Sequence, residues 1–258
     1  MVLKLEKAQV LRMHRYQIII EYDGTDLQGF QIQKKGNTVQ KLVQSAISKI
    51  LKEKIKIIGS GRTDRSVHSW GQSAHFDTNE KIINLGKFIK SLNFFLNKKL
   101  VSIIEIKKKN LSFHARYSAK ERIYEYIILN RFASPSIDKN KVWHIIKKLD
   151  FEIMKKGAKK LLGTHDFSTF RASNCYSKSP IRNIKKATVK KSKDKIIFNF
   201  RSNSFLRNQV RSMVGCLKLL GEAKWSLEDF KSAFKAKNRS RCAPPAVSDG
   251  LYLEKVIY

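Results

Sequence analysis

The densest polar segment in the first half of the chain is the loop 59–69, GSGRTDRSVHS, which holds Arg62, Thr63, Asp64 and His68 between two apolar stretches. A carboxylate in such a loop can attack an electrophilic carbon or hold a developing positive charge, and neither task needs a cofactor. Polar loops on a rigid sheet are common places for such work. Asp is also a frequent turn residue that bonds its own backbone, and taken alone Asp64 suits that plainer role at least as well. Arg207 and Arg211 stand four apart in FLRNQVR, so on a helix both project from a similar face. By themselves they read as a basic stripe for phosphate or solvent. Tyr124, Tyr126 and Ile128 alternate within 122–129 and share one strand face, which places at least one tyrosine in a core. His68, His75 and His114 could act as acids or bases, but no carboxylate or cysteine spacing nearby makes a metal site. They read as semi-buried hydrogen-bonding residues, and His165-Asp166 reads as a turn. No metal is expected.

The elements that must position these groups are legible from periodicity. The run 16–22 (YQIIIEY) is a strand ending at the Asp23-Gly24 turn. Thr38 opens a helix whose apolar face is Val39, Leu42, Val43, Ala46, Ile47, Ile50 and Leu51. Strands follow at 55–58 and 71–77, then a helix through Leu85, Phe88, Ile89, Leu92 and Leu96, and a strand at 100–107. In the second half, 122–129 is a strand. A helix carries Phe151, Met154, Ala158, Leu161 and Leu162 and ends at Gly163. Strands at 184–190 and 195–201 pair across a basic turn. A helix then carries Leu206, Val210, Met213, Val214 and Leu217 with Gly221 beyond its end, Ser226 caps another, and LYLEKVIY closes the chain as a strand. Connections too short for regular crossovers favour α+β with largely antiparallel sheets. The division falls near Lys107-Lys108-Lys109-Asn110, separating 1–110, with the Asp64 loop, from 111–258, with Tyr124 and Arg211.

Composition narrows the function class. Across 258 residues, Lys and Arg number 53 against 21 Asp and Glu, a formal net charge of +32. Such a surface attracts phosphates and releases their counterions, although lysine-rich composition alone also arises from AT-rich coding sequence. Cys175, Cys216 and Cys242 fit no metal motif, and an odd, sparse count argues against a disulfide framework and for a reducing compartment. The segment MVLKLEKAQVLRMHRYQ lacks the apolar core of a signal peptide, and no run is long enough to span a bilayer. The expectation is a cytoplasmic protein without a membrane partner.

The stretch GRTDRSVHSWGQSAHF (61–76) resembles the signature loop of the tRNA pseudouridine synthase A family, GRTDAGVHAxGQVxHF. EYDGTDLQGFQIQ with TVQ, FHARYSAKERIYEYII, HDFSTF, FLRNQVRSMVG and APPAVSDGLYLEKVIY resemble further family motifs in family order, over nearly the whole chain. The resemblance implies an isomerase that breaks the uridine N1–C1′ bond and rejoins the sugar through C5, without a cofactor. It implies that Asp64 is the catalytic carboxylate and that Arg211 pairs with it. Tyr124 would stack on the target base, and Arg62 would contact the RNA beside the extruded nucleotide. It further implies two mixed α/β halves forming a central, mainly antiparallel sheet with a basic cleft between them. The implied partners are a second subunit, as a homodimer, and tRNA, with uridines 38, 39 and 40 of the anticodon stem-loop as targets.

Departures from the pattern are Arg65 and Ser66 where the family has Ala-Gly, and Phe30 where it has Trp. Arg65 can add a phosphate contact. Ser66 is penalised if its position requires positive φ. These changes motivate the alternative reading, a catalytically inactive RNA-binding protein or tRNA-folding chaperone, against which stand the retained Asp64, Tyr124 and Arg211. On either reading, affinity for tRNA should fall steeply as salt rises. Filter binding across a salt series checks this, and a flat titration contradicts the charge argument.

Overall fold

The computed structural model describes residues 13–258, so the reading of residues 1–12 lies outside the described residues. The first half runs β1 (His14–Tyr22), α1 (Val39–Leu51), β2 (Ile57–Gly59), β3 (His68–Thr78), α2 (Leu85–Leu96) and β4 (Val101–Lys109). The second runs β5 (Glu121–Asn130), β6 (Trp143–Ile145), α3 (Phe151–Lys159), β7 (Gly163–Asp166), β8 (Ile181–Ser192) and β9 (Lys195–Ser202). It ends with α4 (Gln209–Gly221), α5 (Leu227–Lys235) and β10 (Leu251–Ile257). The fold is α+β: a ten-stranded, mainly antiparallel sheet in the order β4-β1-β3-β10-β5-β9-β8-β7, with β2 on β3 and β6 on β5.

Each element has a local cause. Thr38 caps α1 by accepting from Lys41 N at 3.3 Å, and Val39, Val43, Ala46 and Ile47 bury its inner face. Alternation in β1 puts Tyr16, Ile18, Ile20 and Tyr22 into the same core. Ser226 and Asp229 form a capping box at the start of α5. One apolar core is drawn from residues between Tyr16 and Ile106, and the larger one from Val67 and residues between Tyr126 and Leu251.

The two halves of the sheet are joined where β10 enters it, and there Tyr252 packs in a third, small cluster with Ile127, Leu129 and Val142. Strand β10 pairs antiparallel with β5 and parallel with β3, at Tyr252–His68 and Leu253–Ser69. Ser69 Oγ donates to Leu253 O at 2.8 Å, and Tyr252 stacks between His68 and Trp70, with ring centroids 4.7 and 4.4 Å away. The sequence expectation began the third strand at 71. Pairing with the distant last strand extends it back to His68, immediately behind the Asp64 loop.

Other boundaries also move. Helix α3 stops at Lys159, and Gly163, at φ 98°, opens β7 instead of ending the helix. His165 and Asp166 therefore lie in β7, with Asp166 Oδ1 accepting from Ser168 N at 2.8 Å to form the turn that follows. Strand β6 has no sequence signal of its own and exists by pairing with β5. Asn208 takes the left-handed conformation (φ 61°), so α4 begins at Gln209. Arg207 thus precedes the helix and does not share a helical face with Arg211. Among the described residues no helix is long and apolar enough to cross a membrane.

His75, buried in β3, accepts from Ala115 N at 3.1 Å through Nδ1. Burial, then the neighbouring Arg15 and His114, pushes its pKa down to about 4. A folded value below the unfolded value of about 6.5 favours the neutral ring. This contribution to stability is whole above that pH and lost as pH falls toward 4. We expect the His75 ring signals to titrate near pH 4 by NMR; a midpoint near 6.5 contradicts the burial argument.

Candidate active site

The loop between β2 and β3 is fastened on both sides of Asp64. Ser60 N donates to Ser73 O at 2.7 Å, Ser60 Oγ donates to Gln72 Oε1 at 2.7 Å, and Gln72 Nε2 donates to Gly61 O at 3.2 Å. Thr63 is buried, its hydroxyl 2.8 Å from the phenol oxygen of Tyr22, while its carbonyl accepts from Phe30 N at 3.1 Å. Beyond Asp64, Val67 N donates to Asp64 O at 3.3 Å and Ser66 N to Leu27 O at 3.4 Å. The segment Asp23–Phe30 is thus the bed on which the loop lies. Gly29 is needed there twice over. It sits at φ 89°, and a Cβ would fall 2.6 Å from Thr63 O. Phe30, in place of the family's Trp, is buried against Gly59, where a Cβ would meet the ring at 2.4 Å.

The opposing wall is α4 and the strap 242–246. Arg211 Nε donates to Ala246 O at 2.7 Å, Ala246 N returns a bond to Arg211 O at 3.0 Å, and Ala243 N donates to Cys216 Sγ at 3.3 Å. The strap can lie this close because position 215 is Gly: a Cβ there would be 2.2 Å from Pro244 O. With Nε held, Arg211 Nη1 lies 4.0 Å from Asp64 Oδ2, the arginine side chain 18% and the aspartate 40% exposed. That is an ion pair at the outer limit of direct contact, open on the aspartate side.

Tyr124 completes the constellation from β5. Its ring is half-buried and braced edge-on by Phe205, centroids 5.2 Å apart at 88°. Burial, and to a lesser degree the Asp64 charge, pushes its pKa up to about 12 against the opposing effect of Arg122, so the phenol stays neutral. Tyr126 is the core member of the pair: fully buried, it donates to Val247 O at 2.8 Å. Arg62, Arg65 and Arg207 are exposed around the loop and the approach to α4. The structure therefore brings Arg211 to Asp64, sets Tyr124 where it feels the Asp64 charge, and leaves Arg62 exposed on the Asp64 loop.

The histidines have other work. Burial holds His68 neutral; its Nδ1 accepts from Gly24 N at 3.0 Å and its Nε2 donates to Asn140 O at 3.0 Å. His114 Nδ1 accepts from the amides of Arg116 and Tyr117 at 3.2 and 3.3 Å. Among the described residues no group of three or more His, Cys, Asp or Glu side chains is arranged to hold a metal ion. Sequence reasoning missed Tyr22, Gly29, Phe205, Gly215 and Ala246. Each acts through a contact distant in sequence, and only its presence inside a recognisable motif could have drawn attention to it.

A family model described as tRNA pseudouridine synthase matches residues 18–118 and 158–258. Asp64 and Arg211 fall inside the matched stretches and Tyr124 between them. A tRNA pseudouridine synthase A of Pelagibacter ubique (strain HTCC1062) is 58% identical over 246 residues, spanning 95% of this chain and 100% of the relative. Relatives of the same description from Caulobacter vibrioides (strain NA1000 / CB15N) and Parvibaculum lavamentivorans are 42% and 40% identical over 246 residues, each spanning 95% of this chain and 99% and 100% of the relative.

Ser66 sits at φ 60°, the left-handed region that favours glycine. Left-handed backbone costs a side-chain-bearing residue roughly 1–2 kcal/mol, of which glycine's extra freedom in the unfolded chain takes back about 0.5–1. Ser66→Gly should therefore raise unfolding free energy by about 0.5 kcal/mol, and β-branched Ser66→Val should lower it by about 1 kcal/mol. Urea denaturation of the two variants checks this, and equal stabilities contradict the strain.

Proposed function

This chain belongs to the tRNA pseudouridine synthase family, and from that footing we propose that it isomerises uridines 38, 39 and 40 of the tRNA anticodon stem-loop, with Asp64 as the acting carboxylate. That it is an isomerase making pseudouridine in tRNA follows from the family. The target positions rest on the resemblance of the sequence motifs, and the observation that carries the residue roles is the approach of Asp64 to Arg211 across the two halves of the chain.

The chemistry follows from the charges. Leaving N1 makes the sugar C1′ electron-poor, and an anionic oxygen held there stabilises that carbon or bonds to it. Ala246 O holds the Nε of Arg211, so the guanidinium charge stays turned toward Asp64. The uracil turns, C5 bonds to C1′, the C5 proton leaves and N1 takes one up, so atoms balance and no oxidant is needed. Tyr124 offers a neutral ring to the extruded base, and stacking of this kind contributes roughly 1–3 kcal/mol per base. Exposed Arg62, Arg65 and Arg207 suit the flanking phosphates. Action as a homodimer in the cytoplasm, with the tRNA lying across both subunits, belongs to the same proposal.

Tritium release from tRNA carrying 5-tritiated uridine tests it. Asp64→Asn should abolish release while leaving tRNA affinity nearly unchanged, because it removes a charge used in the reaction and no phosphate contact. Turnover comparable to wild type in that variant removes Asp64 from its role. Absence of release from the wild-type protein supports instead the inactive RNA-binding alternative. Pseudouridine mapping in a deletion strain checks the positions, and intact modification at 38–40 contradicts them.

A further inference from the structure

Arg122, two residues before Tyr124 on β5, makes a set of bonds that the reaction as described does not use. Its Nη1 donates to Ala119 O at 3.1 Å and Asn203 O at 2.8 Å, and its Nη2 donates to Ser60 O at 3.0 Å and Arg116 O at 2.8 Å. The four terminal N–H groups of the guanidinium are thereby all engaged by backbone carbonyls, which leaves none of them for a tRNA phosphate. Among the described residues no carboxylate forms an ion pair with it, and burial pushes its pKa down. A half-buried cation satisfied only by carbonyl dipoles is a costly device for stability alone.

The carbonyls it gathers are informative. Ser60 O belongs to the start of the loop that carries Asp64, and Asn203 O to the segment running from β9 toward α4 and Arg211. Arg116 and Ala119 belong to the turn that leads into β5 and Tyr124. One planar fork therefore joins the three segments that supply the site. We propose that Arg122 is a positioning residue of this enzyme, setting the separation of Asp64 from Arg211 by clamping the backbone of both segments to the strand that carries Tyr124. The proposal rests on the roles given above to Asp64 and Arg211. A lysine cannot replace the clamp, since an ammonium has three N–H groups radiating from one point and no fork.

The test uses the full-length protein with tritiated tRNA, comparing wild type, Arg122→Lys, Arg122→Ala and Asp64→Asn, with circular dichroism to establish folding. Arg122→Lys should lower single-turnover rate roughly 100-fold, the scale of a small misplacement of reacting groups, with the Kd for tRNA unchanged. The rate of Arg122→Ala should rise with added guanidinium chloride at millimolar concentration. A wild-type rate in Arg122→Lys, a Kd that weakens in step with the rate, or no response to guanidinium would each overturn the proposal. So would failure of both Arg122 variants to fold, which makes the residue one of the fold and not of the site. Asp64→Asn separates the two ideas: if it stays active, the reading of the site fails whatever Arg122 does; if it is inactive while Arg122→Lys is normal, only the clamp fails.

Discussion

The pairing of Asp64 with Arg211 requires two segments from opposite ends of the chain to meet within about the length of an ion pair, and much of the architecture follows from that requirement. The aspartate stands on a loop of the first half and the arginine on a helix of the second. Neither half can bring the two together. The last strand does so, by entering the sheet beside β3 and β5 at once and registering against His68 and Ser69, next to the loop. The strap that precedes this strand supplies the Ala246 carbonyl that aims Arg211. Strand β10 and the strap before it thus fix how the Asp64 loop and Arg211 lie relative to each other.

Within that frame, polar atoms near the site are mostly spent on backbone. Gln72, His68 and Arg122 all hold main-chain groups, and Tyr22 holds the hydroxyl of Thr63. His68 and His75, which a search for acid–base residues notices first, are held neutral by burial, and each accepts a backbone N–H through Nδ1. A carboxylate that acts by its charge gains most from a rigid environment whose dipoles are already oriented, because nothing then has to reorganise as charge develops on the substrate. The phenol of Tyr124 fits the same pattern: burial keeps it neutral, so it adds no second anion near Asp64.

The left-handed serine at position 66 shows how such a site tolerates a local misfit. The loop must turn sharply after Asp64 to enter β3, and the hydrogen bonds from Ser66 N and Val67 N hold the turn in place against the conformational preference of serine. The surrounding bed, in particular Gly29 with its close approach to Thr63 O, has the freedom that position 66 lacks.

The local elements were legible in advance where periodicity, capping or turn residues marked them, as at Thr38 before α1, Ser226 before α5 and the apolar run of β1 ending at Asp23-Gly24. The resemblance of GRTDRSVHS and FLRNQVR to family motifs singled out Asp64 and Arg211, because chemistry of this kind demands particular residue types in a particular local order. What the chain could not disclose on its own were the joints: the extension of β3 back to His68, the short strand β6, the start of α4 after Arg207, the strap against Gly215, and the four carbonyls around Arg122. Periodicity and capping act over a few residues, so sequence alone determines helices, strands and the side chains that supply charge. Close packing and hydrogen bonding between segments far apart in the chain depend on distances that exist only after folding, and so tertiary structure alone decided which carbonyl orients Arg211 and which backbone groups gather around Arg122.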